Sequence, residues 1–204
     1  MRSVLKTVAS IPLGFPNGIH FVMNNRDLDI AARNVIMLLI LLVIDDAEEA
    51  AKTVHLWYSS LIKQRHYDIL QTDIKPLIQA VCDENSSKPP HALLEKTWAF
   101  GPRSLRLVLT CSNWTSLLSY LDVQCDLTVE KATEIRKRVT LAPERIDYRE
   151  RNYFNQRPAL RVGAHRFHTD GMLLPFGASR APFTVPNPYV WICAIALNTV
   201  YLVI

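Results

Sequence analysis

Val4, Leu5 and Val8 share one side of a helical wheel, so the chain is expected to open on a helix ending near Ala9. Ile11-Pro-Leu-Gly-Phe-Pro-Asn-Gly18 breaks it. Residues 18–23 then form a compact apolar run closed by Asn24 and Asn25, and they read as a buried strand with His20 satisfied inside it. Asn25 or Asp27 is placed to cap a following helix, with Asp27 and Asp29 in the first turn where the helix dipole favours negative charge. That helix runs into residues 35–44, ten apolar positions without a break. A membrane span needs about 20, and charges close both ends, so a core helix is expected.

Asp46-Ala-Glu-Glu49 has capping-box spacing, and Ala47, Ala50, Val54, Trp57, Tyr58 and Leu61 follow at helical intervals. A further helix covers residues 67–81, kinked or restarted at Pro76. Residues 84–90 form an exposed loop. Residues 97–101 and 105–110 read as short strands or helical turns, and the alternation of Leu105, Leu107 and Leu109 favours a strand in the second. Residues 114–121 read as helix. Thr128 caps a helix to about Val139, with Ala132, Ile135 and Val139 turned inward. Residues 143–185 are arginine-rich, punctuated by proline and without a clean period. Residues 189–204 carry no charged side chain and are too short for an ordinary span. They are read as a buried segment, a short membrane tail or a stretch the fold does not use.

With 204 residues and 49% apolar side chains, the chain is long enough for one domain with a sizeable core, and disordered, collagen-like, coiled-coil and disulfide-stapled classes are excluded. The four cysteines, at 82, 111, 125 and 193, form no C-x-x-C pair, so reduced and mostly buried thiols are expected. No secretory signal is evident. The net charge of +4 is unevenly spread. Residues 24–95 carry a net −4 and residues 131–180 a net +6.

The basic segment interleaves Arg136, Lys137, Arg138, Arg145, Arg149, Arg151, Arg157, Arg161 and Arg166 with Tyr148, Tyr153, Phe154 and Phe167. Internal ion pairing, a protein interface and RNA binding all suit that composition, in that order of expectation. Arg149, Arg151, Arg161 and Arg166 are the candidate partner-binding residues. His165 and His168 are three apart, on one face if helical, but a metal site needs three or four ligands and no metal is expected. Asp45, Asp46, Glu48 and Glu49 are better explained as helix-capping residues than as paired catalytic carboxylates. No catalytic residue is assigned.

Several segments, in order, resemble a largely fungal family, domain of unknown function 4470. They are Arg2-Ser-Val-Leu-Lys-Thr-Val8, Asn25-Arg-Asp-Leu-Asp-Ile-Ala-Ala-Arg-Asn34, Val43-Ile-Asp-Asp-Ala-Glu-Glu-Ala50, Leu56-Trp-Tyr-Ser59, Lys96-Thr-Trp-Ala-Phe-Gly101, Arg103-Ser-Leu-Arg-Leu-Val-Leu109, Leu141-Ala-Pro-Glu-Arg145 and Gly171-Met-Leu-Leu-Pro-Phe-Gly-Ala-Ser-Arg180. The resemblance runs to about residue 188 and defines a single domain, 1–188, followed by the uncharged tail, 189–204. Members often carry a MYND-type zinc finger, and the domain is similar to the amino-terminal part of a dynein axonemal assembly factor. The resemblance therefore implies assembly or interaction. In relatives a strand and a glycine-containing turn precede the first segment. Their absence before Met1, and the fading match near residue 188, suggest a truncated or mis-spliced gene model.

The expected fold is α/β and helix-dominated, with an incomplete Rossmann-like, methyltransferase-like unit at the front. Such folds bind ligands at the carboxyl ends of strands beside glycine-rich turns. Asn24, Asn25 and Arg26 stand where a residual cofactor pocket would lie, although strand termination and capping account for them more simply. No cofactor is expected. The leading reading is a non-enzymatic, cytoplasmic scaffold or assembly domain with a protein partner. A degenerate S-adenosylmethionine-dependent methyltransferase-like enzyme comes second and an RNA-binding accessory domain third. Membrane contact is expected only through residues 189–204.

Overall fold

The computed structural model describes residues 2–12, 14–44, 46, 54–175 and 177–190. Helices dominate, with two small antiparallel sheets, in agreement with the helix-dominated α/β class. Both described ladders are antiparallel; the parallel pairing of a Rossmann-like unit is not among them.

α1 (Arg2–Ala9) is followed, among the described residues, by irregular chain to Arg26. The strand expected over residues 18–23 does not form. Ile19 and Phe21 are exposed, Val22 is 93% exposed, and His20 lies at the surface instead of in a core. An extended run needs a neighbour for its N–H and C=O groups. The described strands pair only β1 with β4 and β2 with β3, which leaves this run none.

α2 (Leu28–Val43) begins where the first-turn acids place it. Its cap is Asp27 and not Asn25. The Asp27 carboxylate accepts from the backbone N–H of Asp29 at 2.9 Å and of Ile30 at 3.4 Å. Ala32, Val35, Ile36, Leu39 and Ile40 of this helix are buried at the centre of the larger core. The acidic cluster at 45–49 lies outside the described residues except for the exposed Asp46.

α3 (Val54–Tyr58) leads into β1 (Leu61–Lys63) and then α4 (Gln64–Ile69), a π-helical turn (Leu70–Ile74) and α5 (Lys75–Glu84). The expected kink at Pro76 takes the form of this π turn. Proline has no N–H and its ring crowds the carbonyl four residues back. Widening the preceding turn, with Lys75 N–H bonded to Leu70 O, lets the helix pass without breaking.

β2 (Leu93–Phe100) and β3 (Arg103–Thr110) form a hairpin in full register, Leu93 opposite Thr110 and Phe100 opposite Arg103. Its two-residue loop sets Gly101 at φ +59 before Pro102, whose ring holds φ negative, the sign pattern of a type II′ turn. Leu94 and Trp98 lie inward, and Trp98 meets Trp114 of α6 (Cys111–Ser119) edge to face at 5.9 Å. The buried Trp114 indole N–H donates to Leu94 O. The Tyr120 hydroxyl, just past α6, donates to Asp29, and burial followed by that bond pushes the phenol far above its ordinary range.

α7 (Val129–Thr140) is capped by Thr128 as expected, with Ala132, Ile135 and Val139 buried. A 3-10 turn (Pro143–Arg145), α8 (Ile146–Asn155), α9 (Pro158–Asp170) and β4 (Phe183–Pro186) complete the described elements. Leu61, Leu127, Ala132, Ile135, Met172, Phe183 and Val190 make a second, smaller core under β1 and β4. Tyr189 and Val190, the first two residues of the expected tail, are buried, Tyr189 in the larger core and Val190 in the smaller. Residues 191–204 lie outside the described residues. No described helix is long and apolar enough to cross a membrane. Among the described thiols, Cys82 and Cys111 are half-buried, whereas Cys125 is exposed, against the expectation of burial.

Candidate functional site

The chain after α9 is tied to α3 by a joint of buried polar groups. Asn187, wholly buried, donates from its side-chain amide to Ser59 O at 2.7 Å, Leu56 O at 2.9 Å and His55 O at 3.4 Å. Of these, Leu56 O and Ser59 O lie at the end of α3, where carbonyls lack helical partners, while His55 O also accepts from Ser59 N–H. Ser60 N–H donates to Gly171 O and the Ser60 hydroxyl to Asp170 O, while the Ser59 hydroxyl accepts from Leu173 N–H. Gly171 ends α9 at φ +73, and a Cβ there would stand 2.7 Å from the Ser60 hydroxyl oxygen. Arg180 pairs with Asp170 across the same turn. The joint brings Leu56-Trp-Tyr-Ser59 against Gly171-Met-Leu-Leu-Pro175, parts of two segments that carry the resemblance, and it holds α9 in place.

α9 packs on α7, and α8 closes the third side. Between them lies a cleft of about 400 Å³. α7 and the residue that ends it contribute Lys137 and Leu141, α8 contributes Arg149 and Tyr153, and α9 contributes His165, His168 and Thr169. Residues 149 and 153 are one helical step apart, as are 165, 168 and 169, so each helix turns one face inward. No carboxylate lines the cleft.

The Tyr153 hydroxyl is hydrogen-bonded to His168 Nδ1, and the two rings meet edge to face at 5.5 Å and 76°. Burial, then Arg149 and then His165 hold the His168 imidazole below its ordinary proton affinity. Burial raises the Tyr153 phenol despite Arg149 beside it. Next to the cleft, burial and then Arg136 lower the proton affinity of Arg145. Arg149 Nη1 is buried and has no hydrogen-bond acceptor among the described residues. The cleft is therefore a cationic concavity short of acceptors.

Of the arginines singled out for partner binding, Arg149 lines this cleft, whereas Arg151, Arg161 and Arg166 are exposed on α8 and α9 and do not. Arg161 donates to Gln156 O. In this segment the expected internal ion pairing shows at Arg180 with Asp170 and Lys131 with Asp126, while Arg149, Arg151 and Arg157 form no ion pair among the described residues. The pair His165 and His168 does share a helical face, but no group of three or more metal-ligating side chains occurs among the described residues. Leu141 of the cleft was singled out only as part of a segment of the resemblance, and Thr169 carried no signal in the sequence. Asn24, Asn25 and Arg26 are exposed on the chain entering α2.

A second concavity, of about 480 Å³, runs along α6 beside the loop at 86–90 and is lined mainly by Ser112, Thr115, Ser116 and Ser119. The hydroxyls of Thr115, Ser116 and Ser119 are turned back onto carbonyls of their own helix.

Residues 1–62 match a family model described as domain of unknown function (DUF4470). The match covers α1, α2, α3 and the first two residues of β1, a shorter stretch than the resemblance read from the segments. The helices that form the cleft lie beyond it. No curated protein and no solved structure matches the chain.

Proposed function

We propose that the chain is a non-enzymatic interaction domain that docks a protein partner through α8 and α9. The observation that carries this reading is that neither helix contains a buried residue, although together they span residues 146–170. A helix retained for folding buries an apolar stripe. These two instead expose Phe154 at 85% and Leu160 at 62% among the arginines. Exposed aromatic and aliphatic side chains beside exposed arginines are the composition of protein-docking surfaces. The resemblance to an assembly factor, with its fungal and cytoplasmic setting, points the same way.

The test is affinity capture with the tagged chain and with R149E/R151E/R161E. The expected result is a reproducible partner retained by the parent chain and lost by the variant, whose circular dichroism is unchanged. An identical set of partners on both overturns the reading. Nuclease treatment that removes the retained material would transfer it to RNA, and a thermal shift with S-adenosylmethionine would favour an enzyme.

A further inference from the structure

The cleft behind α8 narrows the chemistry of that partner. Lys137 and Arg149 bring two permanent positive charges and His165 adds an imidazole, while the Tyr153 hydroxyl is engaged with His168 Nδ1 and the Thr169 hydroxyl donates to His165 O, and no carboxylate is among the lining side chains. Buried donors are ordinarily satisfied, so the buried Arg149 Nη1, which meets no acceptor among the described residues, marks a place for an incoming one.

We propose that this cleft binds a phosphorylated side chain of a protein partner, an inference that rests on α8 and α9 being the docking face. A phosphomonoester carries close to two negative charges and three acceptor oxygens. Its double charge matches the Lys137 and Arg149 cations better than the single charge of a carboxylate does, and the guanidinium fork of Arg149 suits it. A volume of about 400 Å³ holds a phosphoryl group together with the side chain that bears it. Nucleobase stacking is poorly served, because Tyr153 is already engaged edge to face with His168. A peptide carrier agrees with the surroundings, since the same helices expose Phe154 and Leu160, which a free phosphate would leave uncovered.

The test is fluorescence anisotropy with a labelled degenerate peptide pool centred on phosphoserine, a matching pool centred on serine, and inorganic phosphate as competitor. The phosphoserine pool is expected to bind at least about tenfold more tightly than the serine pool. Arg149→Gln and Lys137→Gln should each weaken it about tenfold or more, with unchanged circular dichroism, while Lys88→Gln on the distant loop should not. Equal binding of the two pools, phosphate binding as tightly as the phosphoserine pool, or full binding by Arg149→Gln each overturns the proposal. Phosphatase treatment of captured material separates the two claims. A partner still retained by α8 and α9 after dephosphorylation leaves the docking face standing and removes the phosphoryl site. Phosphopeptide binding without any captured partner does the reverse.

Discussion

Replacing Asn187 tests whether the joint between α3 and β4 is a main support of the fold. Asn187→Ala removes the amide that donates to Ser59 O at 2.7 Å and Leu56 O at 2.9 Å, and the oxygen that accepts from Tyr189 N–H at 3.0 Å. Each buried group left without a partner costs about 1–3 kcal/mol. Three such groups amount to about 3–5 kcal/mol once some relaxation is allowed. For a chain of this length that lowers the melting midpoint by about 8–15 °C. Asn187→Asp keeps the volume and the acceptor for Tyr189, but it turns a carboxylate oxygen toward three carbonyls. At pH 7 it is expected to be at least as damaging as the alanine. Its buried carboxyl has a raised pKa, so its deficit is complete above that value and shrinks as pH falls through it, when a protonated oxygen can donate. Urea denaturation followed by tryptophan fluorescence at pH 7 and pH 5 measures both effects. An aspartate variant within about 0.5 kcal/mol of the parent at pH 7 would refute the assignment.

Gly171→Ala forces a side chain into a left-handed turn and within 2.7 Å of the Ser60 hydroxyl and 2.9 Å of Arg136 Cγ. A loss of about 2–4 kcal/mol in chemical denaturation is expected, and a loss under about 1 kcal/mol would mean that the close approach is not retained in solution. Asp27→Ala deletes the cap of α2 and should cost about 1 kcal/mol, whereas Asn25→Ala should cost nothing measurable in the same assay. His55 and His168 are both held below the ordinary imidazole value of 6.5, chiefly by burial, with Lys63 adding to the effect at His55 and Arg149 and His165 at His168. Their neutral forms are favoured in the fold, so stability is full above pH 6.5 and falls as pH drops below it toward the folded values. A melting midpoint that rises between pH 7 and pH 5.5 would contradict this. Arg151→Glu with Arg161→Glu, both exposed side chains, should move the midpoint by less than about 2 °C.

The elements that could be read from the sequence are those whose order is local. Asp27 and Thr128 announce their helices because a cap acts within three residues. Leu105, Leu107 and Leu109 announce β3 because alternation is a property of the strand itself. The run at 18–23 misleads for the complementary reason: its composition suits a strand, but pairing belongs to a neighbour, and the described sheets place none beside it. α8 and α9 left no period because the apolar stripe that marks a helix exists only where a helix is buried. The site was legible in fragments. The spacing of His165 and His168 and the concentration of arginine were visible, but the meeting of Lys137, Arg149 and His165 depends on how three helices cross. The joint at Asn187 was not visible at all, because its partners lie more than 120 residues away.

The two ends of this description bear on each other. The larger core is filled by α2, the helices at 64–84, the β2–β3 hairpin and α6, and it needs nothing from α8 or α9. α9 is held at its far end by Gly171, Asp170 and Ser60, and neither helix has a buried residue. On this support, changes of surface charge on α9 are expected to leave the larger core intact. The same arrangement explains why cations crowd there. Burial and then the Arg136 guanidinium disfavour the charge of Arg145, and burial and then Arg149 disfavour that of His168. Like charges gathered at a cost to one another, with few carboxylates to offset them, are stabilised when an anion arrives. On the proposed reading, an incoming phosphoryl group would meet Lys137 and Arg149 with no carboxylate beside them in the cleft.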